Sequence, residues 1–293
     1  MESRSYERSL RAAFIDAFRS TNARFLEVAD RAGLNDGSTA LCLALRGGRM
    51  TVANVGDCRL LLVGQSWVEQ VSRDHKPGVK EEEARVIALG GAVTTSSGIP
   101  RVNGILAVSR AFGNRALRGV VRPDPEIFER ELTADDRFLV LGSDGVWDVI
   151  RNKDVLKACW GERGRSCQHI ADALVRQALL LGSQDNISCV VINVAKYFLA
   201  TSALRIDGAE GRIPYNPRMQ ALRDGVQLSA IPLSASLRPM TVGNTLLIVR
   251  PKSGVRIPMR SRDCGVEAKE KSEKTVVMMN KTRTTRLPKI VDR

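Results

Sequence analysis

Apolar residues recur at helical spacing near the N-terminus and then form short runs separated by turns. Between Tyr6 and Arg31, leucine, phenylalanine and valine lie at positions 10, 14, 18, 25 and 28, which is the spacing of an amphipathic helix. Three short apolar segments follow, namely Thr39–Leu45, Thr51–Val55 and Arg59–Val63. Short strands separated by glycine turns are typical of antiparallel meanders.

Helices and strands continue to alternate in the second half of this region. Three glutamates in the first turns of Val79–Leu89 predict a helix, because the N-terminal end of the helix dipole favours anions. The unbroken apolar run Phe138–Leu141 indicates a strand buried on both faces. Further helices are predicted over Lys153–Cys159 and Ser166–Leu181, and a strand over Ile187–Val194. The pattern as a whole predicts a mixed α+β fold.

The pattern weakens after Val194. Seven prolines between residues 214 and 288 interrupt any long element, and Thr241–Val249 is the segment with the pattern of a strand. The chain carries a net charge of +13, and residues 195–293 contain 19 Lys and Arg against 8 Asp and Glu, whereas residues 1–194 contain 26 against 24. We therefore predict a folded domain over residues 1–194 and a basic, largely unstructured extension over residues 195–293.

Composition excludes several classes of function. The aromatic share of 4% argues against a nucleic-acid surface built on stacking, and no apolar run is long enough to cross a bilayer. Six scattered cysteines without Cys-x-x-Cys spacing predict buried free thiols in a reducing cytosol. Two histidines do not suffice for a histidine-rich zinc site. We expect a monomeric cytoplasmic protein without a membrane partner, with the nucleus as a second location because of the basic extension.

One carboxylate follows a predicted buried strand, and another precedes the last predicted strand. Asp144 follows Phe138–Leu141 after two intervening residues, and Gly145 allows a sharp turn behind it. If a helical turn follows, Asp144 and Asp148 point to the same side, and a hard divalent cation would offset their repulsion. Asp185 precedes the last strand. The alternative is a pair of ordinary turns with a solvated Asp148.

Six short motifs in a fixed order resemble the metal-dependent protein serine/threonine phosphatases of the 2C type over about residues 6–194. They are Gly37-Ser38-Thr39-Ala40, Asn54-Val55-Gly56-Asp57-Cys58-Arg59, Asp74-His75-Lys76-Pro77, Arg101-Val102-Asn103-Gly104 running into Leu106–Gly113, Ser143–Asp148 and Ser183–Ile187. Each motif alone is weakly specific, whereas six in the right order are specific.

The resemblance implies an α-β-β-α sandwich of two antiparallel sheets flanked by helices, with Mg²⁺ or Mn²⁺ at one end. By similarity, Asp144 and Asp185 would bind the main metal pair, and Asp74, Asp144 and Asp148 would hold a further ion. Oxygen ligands of this kind suit Mg²⁺ or Mn²⁺ better than zinc. The implied reaction is hydrolysis of phosphoserine and phosphothreonine in protein substrates by a metal-activated water.

Several motif residues have two interpretations. Asp57 is expected to be a turn residue or hydrogen-bond acceptor rather than a catalytic group. Asp74 either caps the helix after Pro77 or binds metal. His75 is expected to be structural, and Arg110 either contacts a substrate or regulatory loop or forms a buried salt bridge.

The sequence also departs from the family pattern. The Glu-Asp pair, the phosphate-binding arginine and the Asp-Gly-His-Gly-Gly segment that the family places before the first motif are absent from these 293 residues. Cys58 and Asn114 stand where the family usually has Ser and Asp. We therefore expect a sandwich that lacks its N-terminal strands, and a catalytically inactive phosphatase-like binding module is the alternative function. A basic extension that anchors nucleic acid or an acidic partner is a weaker alternative.

Overall fold

The secondary structure follows the predicted order closely. The computed structural model describes residues 2–46, 48–161, 166–199, 226–230, 240–242, 245–248 and 274–281. The elements up to the central strand are α1 (Glu2–Ala32), β1 (Gly37–Arg46), β2 (Arg49–Val55), β3 (Arg59–Val63), β4 (Val68–Gln70), α2 (Lys80–Ala88), β5 (Val93–Ser96), β6 (Ile99–Val102), β7 (Phe112–Gly113), a 3₁₀ turn (Arg115–Leu117), β8 (Glu126–Glu131) and β9 (Phe138–Gly142). After them come α3 (Asp144–Trp147), α4 (Asn152–Trp160), α5 (Cys167–Leu180), β10 (Ser188–Asn193), β11 (Val226–Ala230), β12 (Met240–Val242), β13 (Thr245–Ile248) and β14 (Lys274–Lys281).

The strands form two large sheets and a hairpin. The first sheet has the order β12-β13-β14-β1-β2-β8, with β7 also paired to β1, and the second has the order β11-β10-β9-β3-β4. Within the described residues the strand pairs are antiparallel, except for β13 and β14, which run parallel. Strands β5 and β6 form the separate hairpin.

Alternating side chains of β1 build two different layers of the core. Leu41, Leu43 and Leu45 join a cluster with residues of β3, β9 and β10, which lies between the two sheets. Their neighbours Ala40, Cys42 and Ala44 instead pack with Phe14 and Phe18 of α1. Because successive residues of a strand point to opposite faces, the small residues leave room for the helix and the leucines fill the space between the sheets.

The second sheet is covered in the same way on its outer face. Val140 of β9 and Val191 of β10 pack with residues of α4 and α5, among them Val155, Ile170 and Leu174. The layers are therefore helix, sheet, sheet, helix, which confirms the predicted α+β sandwich. The five cysteines within the described residues are free and buried, as predicted. No described helix has the combination of length and apolar character that a membrane crossing requires.

The C-terminal extension differs from expectation where the structure describes it. Instead of a single strand over Thr241–Val249, two short strands, β12 and β13, pair antiparallel. Strand β14 pairs with β1 and strand β11 pairs with β10, so the extension adds strands to both sheets. The intervening residues lie outside the described residues, so the boundary at residue 194 and the unstructured character of the rest stay predictions.

Candidate metal centre

The register of the second sheet brings three of the aspartates to one end of the sandwich. Gly142, the last residue of β9, pairs with Arg59 at the start of β3 and with Cys189 near the start of β10. Asp144 lies just beyond Gly142 along the chain, while Asp57 and Asp185 precede the other two partners. Strand pairing, rather than local sequence, therefore collects these carboxylates at the same edge.

Hydrogen bonds join the two loops that carry Asp144 and Asp185. The Ser143 hydroxyl donates to the Asn186 carbonyl over 2.8 Å and accepts from the Ser188 N–H over 3.0 Å. The Ser183 hydroxyl donates to the Gly145 carbonyl over 2.7 Å. A Cβ on Gly145 would lie 2.5 Å from the Asn186 carbonyl oxygen, so the close approach of the two loops requires glycine there.

A second set of bonds joins the loops that carry Asp57 and Asp74. The Asn54 amide donates to the Gly56 carbonyl over 3.2 Å and to the Arg73 carbonyl over 2.9 Å. The Gly56 N–H donates to Nδ1 of His75 over 3.0 Å, and the His75 N–H donates back to the Gly56 carbonyl. Gly56 has a φ of 99°, which disfavours any residue with a Cβ.

His75 has the structural position that the sequence suggested. Its ring is 2% exposed, and because Nδ1 accepts a hydrogen bond, the proton belongs on Nε2, which lies 3.4 Å from a carboxylate oxygen of Glu126. Burial lowers the pKa of His75 more than Glu126 raises it. A neutral imidazole that bridges two loops is a positioning group.

The carboxylates at this end repel one another. Burial, followed by the charges of Asp57, Asp185 and Asp148, raises the pKa of Asp144 to about 8, against a partial offset from Lys76. Burial also raises the pKa of Asp57, and Asp74 and Asp148 add to this effect. Negative charge is therefore concentrated here beyond what the local cations neutralise, which is the condition that favours binding of a divalent cation.

Lys76 is the functional residue that the sequence reasoning overlooked. Its Nζ lies 2.5 Å from Oδ2 of Asp57 and 3.8 Å from Oδ1 of Asp148. Burial alone would lower the pKa of Lys76, but the charge of Asp57 raises this pKa above its ordinary value. The signal was a lysine two residues after Asp74, since a site whose predicted metal ligands are all aspartates is a place where a cation finds partners.

Asp57 also belongs to this cluster, where it accepts a hydrogen bond from Lys76, in agreement with its prediction as a turn residue or hydrogen-bond acceptor. Its side chain is 4% exposed, and its charge raises the pKa of Asp144 more than the charge of any other neighbour does. A similar signal was available for both residues, because Asp57 follows Gly56 and Asp144 precedes Gly145, each beside the end of a buried strand.

Asp74 is held by Arg59 rather than by a helix. Arg59 donates to both carboxylate oxygens of Asp74, over 3.0 and 2.6 Å, and its guanidinium also lies 5.5 Å from the centre of the Trp147 ring. Helix α2 begins at Lys80, and its N-cap is Val79 without a side-chain cap. The capping interpretation of Asp74 is therefore wrong, and its role as a metal ligand stays a prediction.

Arg110 forms the buried salt bridge that was one of its two interpretations. It donates from Nη2 to Oε1 of Glu82 over 2.5 Å and from Nη1 to the Asp124 carbonyl. Glu82 also accepts from Arg85 and from the Ser109 hydroxyl. A substrate or regulatory contact through Arg110 stays a prediction.

The donor set fits a hard divalent cation in its chemistry. Asp144, Asp148 and Asp185 supply oxygen ligands of the type that Mg²⁺ and Mn²⁺ prefer, and Asp148 is exposed at the rim with 60% of its side chain accessible. Within residues 10–46, 48–161 and 166–199, no three His, Cys, Asp or Glu side chains are arranged to hold an ion as they stand.

Comparison with known proteins identifies the family. The family model described as protein phosphatase 2C matches residues 1–187. Probable protein phosphatase 2C 7 of Oryza sativa subsp. japonica is 38% identical over 199 residues, which are 68% of this chain and 52% of that protein. Probable protein phosphatase 2C 59 of Arabidopsis thaliana is 39% identical over 206 residues, which are 69% of this chain and 63% of that protein. The chain thus spans between half and two thirds of the length of these relatives.

Solved structures agree on the fold. The crystal structure of serine-threonine phosphatase 2C from Toxoplasma gondii has a TM-score of 0.58 with 24% identity, covering 63% of this chain and 67% of that one. The structure of a C. elegans sex determining protein has a TM-score of 0.58 with 25% identity, covering 61% of this chain and 46% of that one. The family model and the two plant relatives, together with the shared fold, show that the chain belongs to the protein phosphatase 2C family.

Proposed function

We propose that this chain hydrolyses phosphoserine and phosphothreonine in proteins in a reaction that depends on Mg²⁺ or Mn²⁺. The observation that carries the proposal is the acidic cluster at one end of the sandwich, where burial and three other aspartates raise the pKa of Asp144 to about 8. Family membership supports the choice of reaction, since the matching plant proteins are named as probable protein phosphatases.

Asp144 and Asp185 are the residues proposed to hold the main metal ions, with Asp148 and Asp74 at a further site. The chemistry that bound Mg²⁺ or Mn²⁺ supplies is Lewis-acid activation of water and neutralisation of charge on the phosphoryl oxygens. The serine hydrogen bonds join the loops that carry Asp144 and Asp185.

Two cations of the chain adjust the charge of the cluster. Lys76 neutralises the buried Asp57 and reaches towards Asp148. Arg59 holds Asp74 through both carboxylate oxygens, so the side chain of Asp74 has a fixed orientation. Asp144, whose pKa is raised by burial and by three neighbouring aspartates, is the proposed centre of the site.

The test is release of phosphate from a phosphoserine peptide by the full chain, with Mn²⁺, with Mg²⁺ and with a chelator. We expect hydrolysis that requires the metal and falls to background in Asp144→Asn. Asp135→Asn is the matched control, because Asp135 is an exposed aspartate in the turn before β9, and it should keep full activity. A folded chain that is inert with both metals would instead support the phosphatase-like binding module.

A further inference from the structure

Strand β1 needs a neighbour on each side because it is a central strand of the first sheet. Leu41, Leu43 and Leu45 are at most 1% exposed, and Cys42 between them is 5% exposed. Backbone N–H and C=O groups buried to this degree must be paired, since an unpaired group loses its hydrogen bonds to water without replacement. Strand β2 satisfies one side, with seven residue pairs from Ala40–Val55 to Arg46–Arg49.

The other side of β1 is satisfied mainly by the C-terminal extension. Strand β14 covers this side in an antiparallel register of eight pairs, from Ser38–Lys281 to Leu45–Lys274. Strand β7, which pairs with Gly37 and Ser38, lies on the opposite side of β1, next to the end of β2, because Ser38 already pairs with Lys281 on the β14 side. A segment from the end of the chain is therefore the second neighbour of β1.

The sequence of β14 matches this register. It reads Lys-Thr-Val-Val-Met-Met-Asn-Lys, with four apolar residues in the middle and a lysine at each end. The apolar residues, at positions 276–279, are the partners of β1 residues 40–43, which belong to its buried part. Terminal lysines are a common device against uncontrolled pairing of strands.

We propose that the main-chain edge of β1 is an acceptor site for one extended strand and that residues 274–281 are its intramolecular ligand. In this arrangement the basic extension supplies the second neighbour of β1 in the first sheet. It also occupies the edge through which two copies of the chain would otherwise pair, which is the usual hazard of an open sheet edge.

The test uses the full chain with a double substitution, Val276→Pro and Val277→Pro. Neighbouring residues of a strand direct their N–H groups to opposite sides. One of the two prolines therefore removes an N–H donor that faces β1, whichever of the two residues carries it. Ala268→Pro is the control, because it introduces proline into the extension before the strand begins. We expect the double variant to melt at least about 5 °C lower than wild type and to self-associate in light scattering, while Ala268→Pro does neither.

A peptide in trans tests the acceptor site itself. Excess synthetic peptide with the sequence of residues 272–283 should return the double variant to the monomer and raise its Tm, and a scrambled peptide should not. A double variant that stays monomeric with the wild-type Tm would overturn the proposal.

Hydrogen exchange of the unmodified chain covers the case in which the double variant does not fold. Residues 274–281 should then be protected to the same degree as β2, the other neighbour of β1. Complete exchange of residues 274–281 at the earliest time point, with β2 still protected, would overturn the proposal.

Discussion

Glu82 offers the sharpest quantitative prediction. It is 5% exposed and accepts hydrogen bonds from Arg110, Arg85 and Ser109. Burial alone would raise the pKa of Glu82, but these hydrogen bonds lower it from 4.5 to about 2. A pKa unit corresponds to about 1.4 kcal/mol, so the ionised carboxylate stabilises the fold by at most about 3 kcal/mol.

Replacing Glu82 by Gln keeps its size and removes its charge, which leaves two arginines without their counter-charge. We expect the free energy of unfolding to fall by about 3 kcal/mol at pH 7, and the Tm to fall by roughly 6–12 °C for a domain of this size. Glu81→Gln is the control, because Glu81 precedes Glu82 on α2 and is exposed. This control should change the free energy of unfolding by less than about 0.5 kcal/mol.

The pH dependence gives the prediction a second criterion. A carboxyl group whose pKa is lowered on folding stabilises the protein fully above its unfolded value, near 4.5, and this contribution is lost as the pH falls through about 2. The difference between wild type and Glu82→Gln, measured by urea unfolding, should therefore fall by about half between pH 7 and pH 3. A difference below about 1 kcal/mol at pH 7, or one that does not change with pH, would refute the reasoning.

Three further predictions concern the acidic end of the sandwich. Lys76→Met should destabilise the chain by about 3 kcal/mol in urea unfolding, because it leaves the buried Asp57 without its cation. Adding Asp57→Asn to this variant should recover part of the lost stability. Gly145→Ala should cost about 1–3 kcal/mol and weaken Mn²⁺ binding in calorimetry, since its Cβ would meet the Asn186 carbonyl; unchanged binding would contradict the close-approach explanation. In a chelator, Asp144→Asn should stabilise the chain at pH 7 by up to about 4 kcal/mol, because a carboxyl group whose pKa rises from 3.8 to about 8 on folding must take up a proton at this pH. Equal urea midpoints would contradict this.

Local patterns were sufficient to predict most of the sandwich. The period of three to four residues in α1 and the apolar runs of β1, β2, β3 and β9 are properties of neighbouring residues, and the structure places each element within a few residues of its prediction. Asp144 was identifiable for the same reason, because a carboxylate directly after a buried strand is unusual without a partner.

Contacts between distant segments were not predictable from the sequence. Asp57 joins Asp144 only because β3 pairs with β9, and the role of Lys76 depends on the same pairing. Asp74 was compatible with helix capping until the start of α2 at Lys80 and the Arg59 ion pair were known. Strand structure was predicted over Thr241–Val249, where β12 and β13 lie. Strands β11 and β14 were not predicted, because they pair with edges of the two sheets that are distant in sequence.

The most direct test of the central claim is calorimetric titration of the full chain with Mn²⁺ at pH 7.5. If Asp144 and its neighbouring aspartates form a metal centre, the wild-type chain and Asp135→Asn will bind Mn²⁺ with a saturable heat, and Asp144→Asn will lose that binding. Equal binding by wild type and Asp144→Asn, or no binding by a folded wild-type chain, would contradict the account.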